Sequence, residues 1–135
     1  MPVETLNIPT LPEPQGFSHI GIASGSRLVF LAGQVAQNSD GELVGAGDLP
    51  AQMEQAMMNV AAGLDAAGAT LADVAKTTLY VADWDESKVE QLFAGFQRAA
   101  ERIGGASGAP VTLVPVPRLF EEGHLVEIEV TAVIA

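Results

Sequence analysis

The sequence predicts an α+β domain: an antiparallel or mixed sheet with two helices on one face. Three observations predict it. Two segments repeat apolar residues at helical spacing, and the remaining ordered segments read as β-branched or alternating runs. The two kinds interleave as strand, strand, helix, strand, helix, strand, strand, an order that lets both helices cover the same side of one sheet. At 135 residues, 48% hydrophobic and 17% charged, the chain suits a single domain, residues 1–135, with a real core, and its composition is not that of a disordered chain.

The first ~15 residues hold Pro2, Pro9, Pro12 and Pro14 and read as an extended arm, with one short strand around Glu4 to Asn7. Phe17 to Ala23 and Arg27 to Ala32 are strand-like, and Ser24-Gly25-Ser26 between them has the chemistry of a hairpin turn. Asn38-Ser39-Asp40-Gly41 marks another turn, and Gly45 to Gly47 lead into the clearest element. There Asp48 is placed as N-cap and Pro50 in the first turn; Met53, Ala56, Met57, Val60, Ala61 and Leu64 form one stripe, and Gly68 ends the helix. The methionines fit irregular core packing better than a cofactor box.

Ala75 to Asp83 is the next strand, with Thr77, Leu79 and Val81 on one face and Thr78 and Tyr80 on the other. Ser87-Lys88-Val89-Glu90 has the form of a capping box, Val89, Leu92, Phe93, Phe96, Ala100 and Ile103 form the second helical stripe, and Gly104-Gly105 stops it. Val111 to Val116 and Leu125 to Ile134 close the chain as strands, joined through Glu121-Glu122-Gly123. Pro115 and Pro117 remove two N–H donors, so one side of the first of these strands lies outside a regular ladder, as at an edge.

Composition narrows the function. Without cysteine there is no disulfide, thiol nucleophile or thiolate metal site. Two distant histidines, His19 and His124, give no zinc spacing, and His124, beside a turn, is expected to face solvent. Ser18 and Ser107 lack a base at motif spacing, and Gly104-Gly105-Ala106-Ser107-Gly108 follows a helix, so it fails as a phosphate loop. Seventeen acids against six bases give a net charge of −11, a field that repels phosphate backbones, so no nucleic-acid partner is expected. No apolar stretch approaches ~18 residues and no leader pattern opens the chain, which leaves no membrane partner and a cytoplasmic location as the expectation. Apolar residues on both faces of Leu28-Val29-Phe30-Leu31 call for a second cover: self-association, or loops and the arm in a monomer.

Several segments, in order, resemble the RidA/YjgF family (enamine/imine deaminase, endoribonuclease L-PSP-like). They are Gly16-Phe17-Ser18-His19, Leu28-Val29-Phe30-Leu31-Ala32-Gly33-Gln34, Leu64-Asp65-Ala66-Ala67-Gly68-Ala69, Val74-Ala75-Lys76-Thr77-Thr78-Leu79-Tyr80-Val81 and Val126-Glu127-Ile128-Glu129. The resemblance runs from about residue 14 to the C-terminus. It implies a six-stranded, mostly antiparallel sheet backed by two helices, and a homotrimer with a small-molecule cleft at each subunit interface. It also implies hydrolysis of reactive enamines and imines without metal or cofactor. Some members carry a ribonuclease or translation-inhibitor label.

Imine hydrolysis needs a grip on the substrate, a held water and proton transfer to nitrogen. The resemblance assigns water ordering to Glu127 and substrate contacts to Phe17, Ser18, His19, Ala32, Gly33, Val111 and Leu113. Where active members carry a carboxylate-binding arginine, this chain has Val111. A guanidinium holds a carboxylate through two parallel hydrogen bonds; valine offers none. Arg118, seven residues on and of opposite parity, is a poor substitute. Phe17 replaces a frequent tyrosine, and Glu90, which also suits the capping box, replaces an asparagine. Glu127 and Glu129 read equally well as a solvated row, and His19 as an imidazole satisfied by backbone.

Three expectations follow. The leading one is a trimer with an arginine-free cleft, hydrolysing an enamine other than simple 2-imino acids, such as an aminomuconate-like compound. The others are a non-catalytic small-ligand binder and an endoribonuclease.

Overall fold

The computed structural model describes residues 3–135; Pro2 of the expected arm lies outside them. The strands are β1 (Val3–Leu6), β2 (Ile20–Ala23), β3 (Arg27–Phe30), β4 (Val74–Ala82), β5 (Val111–Val116) and β6 (Val126–Ile134). The helices are α1 (Leu49–Ala66) and α2 (Val89–Ile103). The class is α+β as expected. The six strands divide into an antiparallel β1–β2 ribbon and a four-stranded sheet in the order β3-β6-β4-β5. β4 and β5 run parallel, which makes the sheet mixed, and β5 with its prolines is an edge.

The expected hairpin at Ser24-Gly25-Ser26 does not form. β2 pairs with β1 and β3 pairs with β6, because the connecting residues cross the end of β6 instead of turning back. Ser26 N–H donates to the Ile134 carbonyl at 3.1 Å there, and a Cβ on Gly25 would stand 2.6 Å from Val133.

β6 is the spine of the sheet. Val126, Ile128, Val130, Ala132 and Ile134 all face the helices and are buried. They meet the α1 stripe of Met53, Ala56, Met57, Val60 and Leu64, also buried, so the period-2 and period-3.6 patterns interlock as one core. Asp48 caps α1 as expected, accepting from Ala51 N–H at 3.1 Å. α2 crosses α1 at Gly95, where a Cβ would lie 2.6 Å from Met53 Cβ and closer still to the Pro50 carbonyl oxygen.

The expected capping box at Ser87 is replaced. A 3₁₀ turn, Glu86–Lys88, precedes α2, and Asp85 caps it by accepting from Ser87 N–H at 2.8 Å and from the Ser87 hydroxyl. α2 begins at Val89 with Lys88 in the cap position, so Ser87 lies one residue too early to cap it, and Glu90 is left exposed.

Gln52 is fully buried on α1. Its amide donates to the Gly45 and Gly123 carbonyls at 3.1 and 3.0 Å and accepts from Leu125 N–H at 2.8 Å. It thereby ties the loop before α1 to the loop before β6. Substituting Gln52→Leu strands all three backbone groups. Unfolding in urea is expected to show a loss of about 3 kcal/mol; an unchanged midpoint would remove the clamp from the account.

Candidate functional site

Alternation along β4, β5 and β6 sorts the expected site residues onto two faces of the sheet. On the helix side, Val111 and Leu113 of β5 stand beside Thr77 and Leu79 of β4, in register. They form the floor of a cavity of about 260 Å³ between the sheet and the helices. Met53, Met57 and Val60 of α1 form part of its wall. The rim includes Gly16, Phe17, Trp84 and Phe93. Val89 and Phe93, the outermost residues of the α2 stripe, are exposed here, because that end of α2 overhangs the cavity instead of the sheet. Among the described residues no charged side chain lines the space; Gln15, Thr77, Ser107 and the indole N–H of Trp84 supply its polar side-chain groups.

On the opposite face stand Glu127 and Glu129 of β6 beside Tyr80 and Thr78 of β4, their register partners. The local geometry is set by a bulge. Leu31 N–H donates to Val130 at 3.2 Å, and Gln34 exchanges bonds with Ile128 at 2.8 and 2.9 Å. Ala32 and Gly33 therefore oppose the single residue Glu129. The bulge brings the Gly33 backbone onto the Glu127 side chain: a Cβ at position 33 would stand 2.9 Å from Glu127 Cγ and 2.7 Å from its Cδ, and would overlap its carboxylate. Any larger residue there would force the Glu127 side chain out of this position. Gly33 thus lies against Glu127, with Ala32 beside it in the bulge, and Phe17 lines the same cavity as Val111 and Leu113. Within one subunit the two groups lie on opposite sides of the sheet.

The open face is more polar than the sequence led us to expect. Lys76 donates to Thr112 Oγ1 at 2.7 Å across β4 and β5, and the uncovered apolar surface gathers at β3, where Leu28 and Phe30 are 63% and 71% exposed. Glu129 bears on its neighbour: Tyr80 donates to Glu129 Oε1 at 3.4 Å. The Glu129 charge is the chief reason the Tyr80 phenol is held above its ordinary 10.0, with smaller contributions from desolvation, that hydrogen bond and Glu127.

Ser18 and His19 belong to the arm. His19 Nδ1 accepts from Ile8 N–H at 3.0 Å, and His19 N–H donates to Asn7 Oδ1 at 3.1 Å, so the imidazole is satisfied by backbone and closes the loop that carries Phe17. The Phe17 and His19 rings meet edge to face, centroids 6.2 Å apart. His124 is corrected outright. It is 7% exposed, its Nδ1 without a partner, because the Gln52 clamp draws residues 123–125 against α1. Arg118 folds onto its own loop, donating to the Leu119 and Phe120 carbonyls, and does not line the cavity floored by Val111. Among the described residues no three His, Asp or Glu side chains gather as a metal site.

A family model described as Endoribonuclease L-PSP matches residues 10–134. The chain belongs to the RidA/YjgF family. A RutC family protein of Pyrococcus horikoshii is 37% identical over 123 residues, 90% of each chain. The crystal structure of YyfB, a Rid family protein of unknown function from Yersinia pestis, superposes with a TM-score of 0.87 at 36% identity, covering 99% of this chain and 100% of that one. Escherichia coli YjgF gives a TM-score of 0.66 at 28% identity over 96% and 98%. The RidA/YjgF fold is thus shared along essentially the whole chain. No helix among the described residues is long and apolar enough to cross a membrane.

Tyr80 is the sole tyrosine, so its ionisation is directly readable. Ultraviolet titration is expected to place its midpoint above 10.0, and Glu129→Gln to bring it down. A midpoint indifferent to Glu129 would contradict the arrangement of the open face.

Proposed function

We propose that this chain is a RidA-like homotrimer that holds a small organic molecule at its subunit boundaries and lacks the grip used for simple 2-imino acids. The observation that carries this reading is the split site: an uncharged cavity floored by Val111 and Leu113, and an acid, Glu127, on the other face of the sheet. A neighbouring copy laid against the open face covers Leu28 and Phe30 and brings its cavity mouth towards Glu127. Glu127 then orders a water. The water adds to the imine carbon, its proton passes to nitrogen, and cleavage of the C–N bond leaves a carbonyl compound and ammonia. The absence of a cation argues against an aminomuconate-like dicarboxylate as well as against amino-acid imines, because each ionised carboxylate would be desolvated without a partner.

A second reading is a non-catalytic binder, favoured by the separation of Glu127 from the cavity within each subunit. The ribonuclease label has less support. Of the six bases, Arg102 pairs with Glu54 at 3.0 Å and Arg118 folds on its own backbone. Lys76 bonds Thr112, and Lys88 bonds the Ala82 and Asp83 carbonyls. What is left makes no basic groove.

Two measurements test the proposal. Light scattering is expected to give the mass of three 14.0 kDa chains, and a stable monomer would contradict it. In an amino-acid-oxidase assay that generates 2-iminopropanoate or 2-iminobutanoate, ammonia release is expected at the spontaneous rate, and strong acceleration would contradict it. Any imine or enamine that is turned over should be spared by Glu127→Gln while the assembly stays intact.

A further inference from the structure

We infer that the cavity beneath α2 takes up a neutral aromatic ligand of about two fused rings. The inference rests on reading that cavity as the small-molecule site and adds the class of its occupant. Its volume, about 260 Å³, exceeds the ~150 Å³ apolar cavities that accept benzene, which leaves room for a second ring. Its wall offers two kinds of contact that favour rings over aliphatic chains. The Met53 and Met57 thioethers are polarisable and adaptable, and Phe17, Trp84 and Phe93 supply aromatic edges and faces.

Charge is excluded twice over. Among the described residues of one subunit, no lysine, arginine or histidine lines the cavity to pair an anion and no carboxylate lines it to pair a cation; the neighbour's Glu127 at the mouth would repel an anion further. The chain's net charge of −11 further opposes anions at long range. The polar side chains are sparse. Ser107 Oγ already accepts from Ala109 N–H at 3.1 Å, which leaves its proton free to donate to one acceptor on the ligand. The loop of Gln15, Gly16 and Phe17 lies at the mouth, and the His19–Ile8 and Asn7–His19 bonds hold that loop in place.

The test compares naphthalene with 2-naphthoate, the same rings with and without a charge. Trp84 is the sole tryptophan and sits on the rim, so its emission reports occupancy. Saturable naphthalene binding at one per chain is expected, with 2-naphthoate at least tenfold weaker and only naphthalene raising the melting temperature. Val111→Trp, which fills the floor, should abolish binding. Val111→Arg, which installs a cation, should reverse the preference, and Val111→Phe, a milder filling of the same floor that should weaken naphthalene binding, is the second variant if the larger side chain destabilises the core. Equal binding of both probes overturns the ligand class. Naphthalene binding that survives Val111→Trp in the folded protein places the ligand elsewhere and overturns the inference, as does no binding of either probe. These outcomes are independent of the imine assay, which judges the proposed function on its own.

Discussion

The alternation of β6 is the constraint on which the rest of the molecule depends. Its even-numbered residues, Val126 to Ile134, are buried beneath the helices, and its odd-numbered residues carry Glu127 and Glu129 on the open face. A slip of one residue would bury two carboxylates and expose five apolar side chains, so this register is strongly enforced. β6 pairs with both β3 and β4, so its register propagates to them and, through β4, to β5. The position of Val111 relative to Glu127 is therefore a consequence of core packing. It also explains why this subunit carries an uncharged cavity on one side of the sheet and the Glu127 carboxylate on the other.

Much of this was legible in the sequence because the periodic signals are strong. The α1 stripe, its Asp48 cap, both helices, the β4 alternation and the edge character of β5 all follow from local spacing. What the sequence hid was non-local or competitive. The partner of β2 is β1 across a proline-rich arm, and no turn chemistry at Ser24-Gly25-Ser26 reveals that the chain crosses the end of β6 instead. Ser87 offered a cap, but it donates to Asp85 in a preceding 3₁₀ turn, and α2 begins one residue too late for it. His124 looked solvated because a turn precedes it; Gln52, seventy-two residues upstream and itself polar, is what draws that turn inward. The site was half legible. Gly33 followed by Gln34 could have signalled the bulge, since a glycine inside a strand often marks one. The cavity, by contrast, is a property of how α2 overhangs the sheet, and its wall reads in sequence as ordinary core.

On the proposed reading of the site, the chain keeps the element that seats the acid, Glu127, and departs at Val111, where the substrate would be recognised. A side chain at position 33 would force the Glu127 side chain to move, so glycine there preserves the placing of the acid. Val111 is under no such constraint, because an uncharged residue on the cavity floor needs no partner. That asymmetry is how one fold can retain its scaffold while its ligand changes chemical class.

The separation of the two walls is the central claim, and methyl NMR on a mixed-labelled sample tests it most directly by distinguishing contacts within a chain from contacts between chains. Within one chain, the Val111 and Leu113 methyl groups should show proximity to cavity-wall side chains such as Trp84, Phe93 and Met57, and none to the Glu127 methylenes. Intrachain proximity between Val111 and Glu127 would place acid and floor on one face, and the account would not survive it.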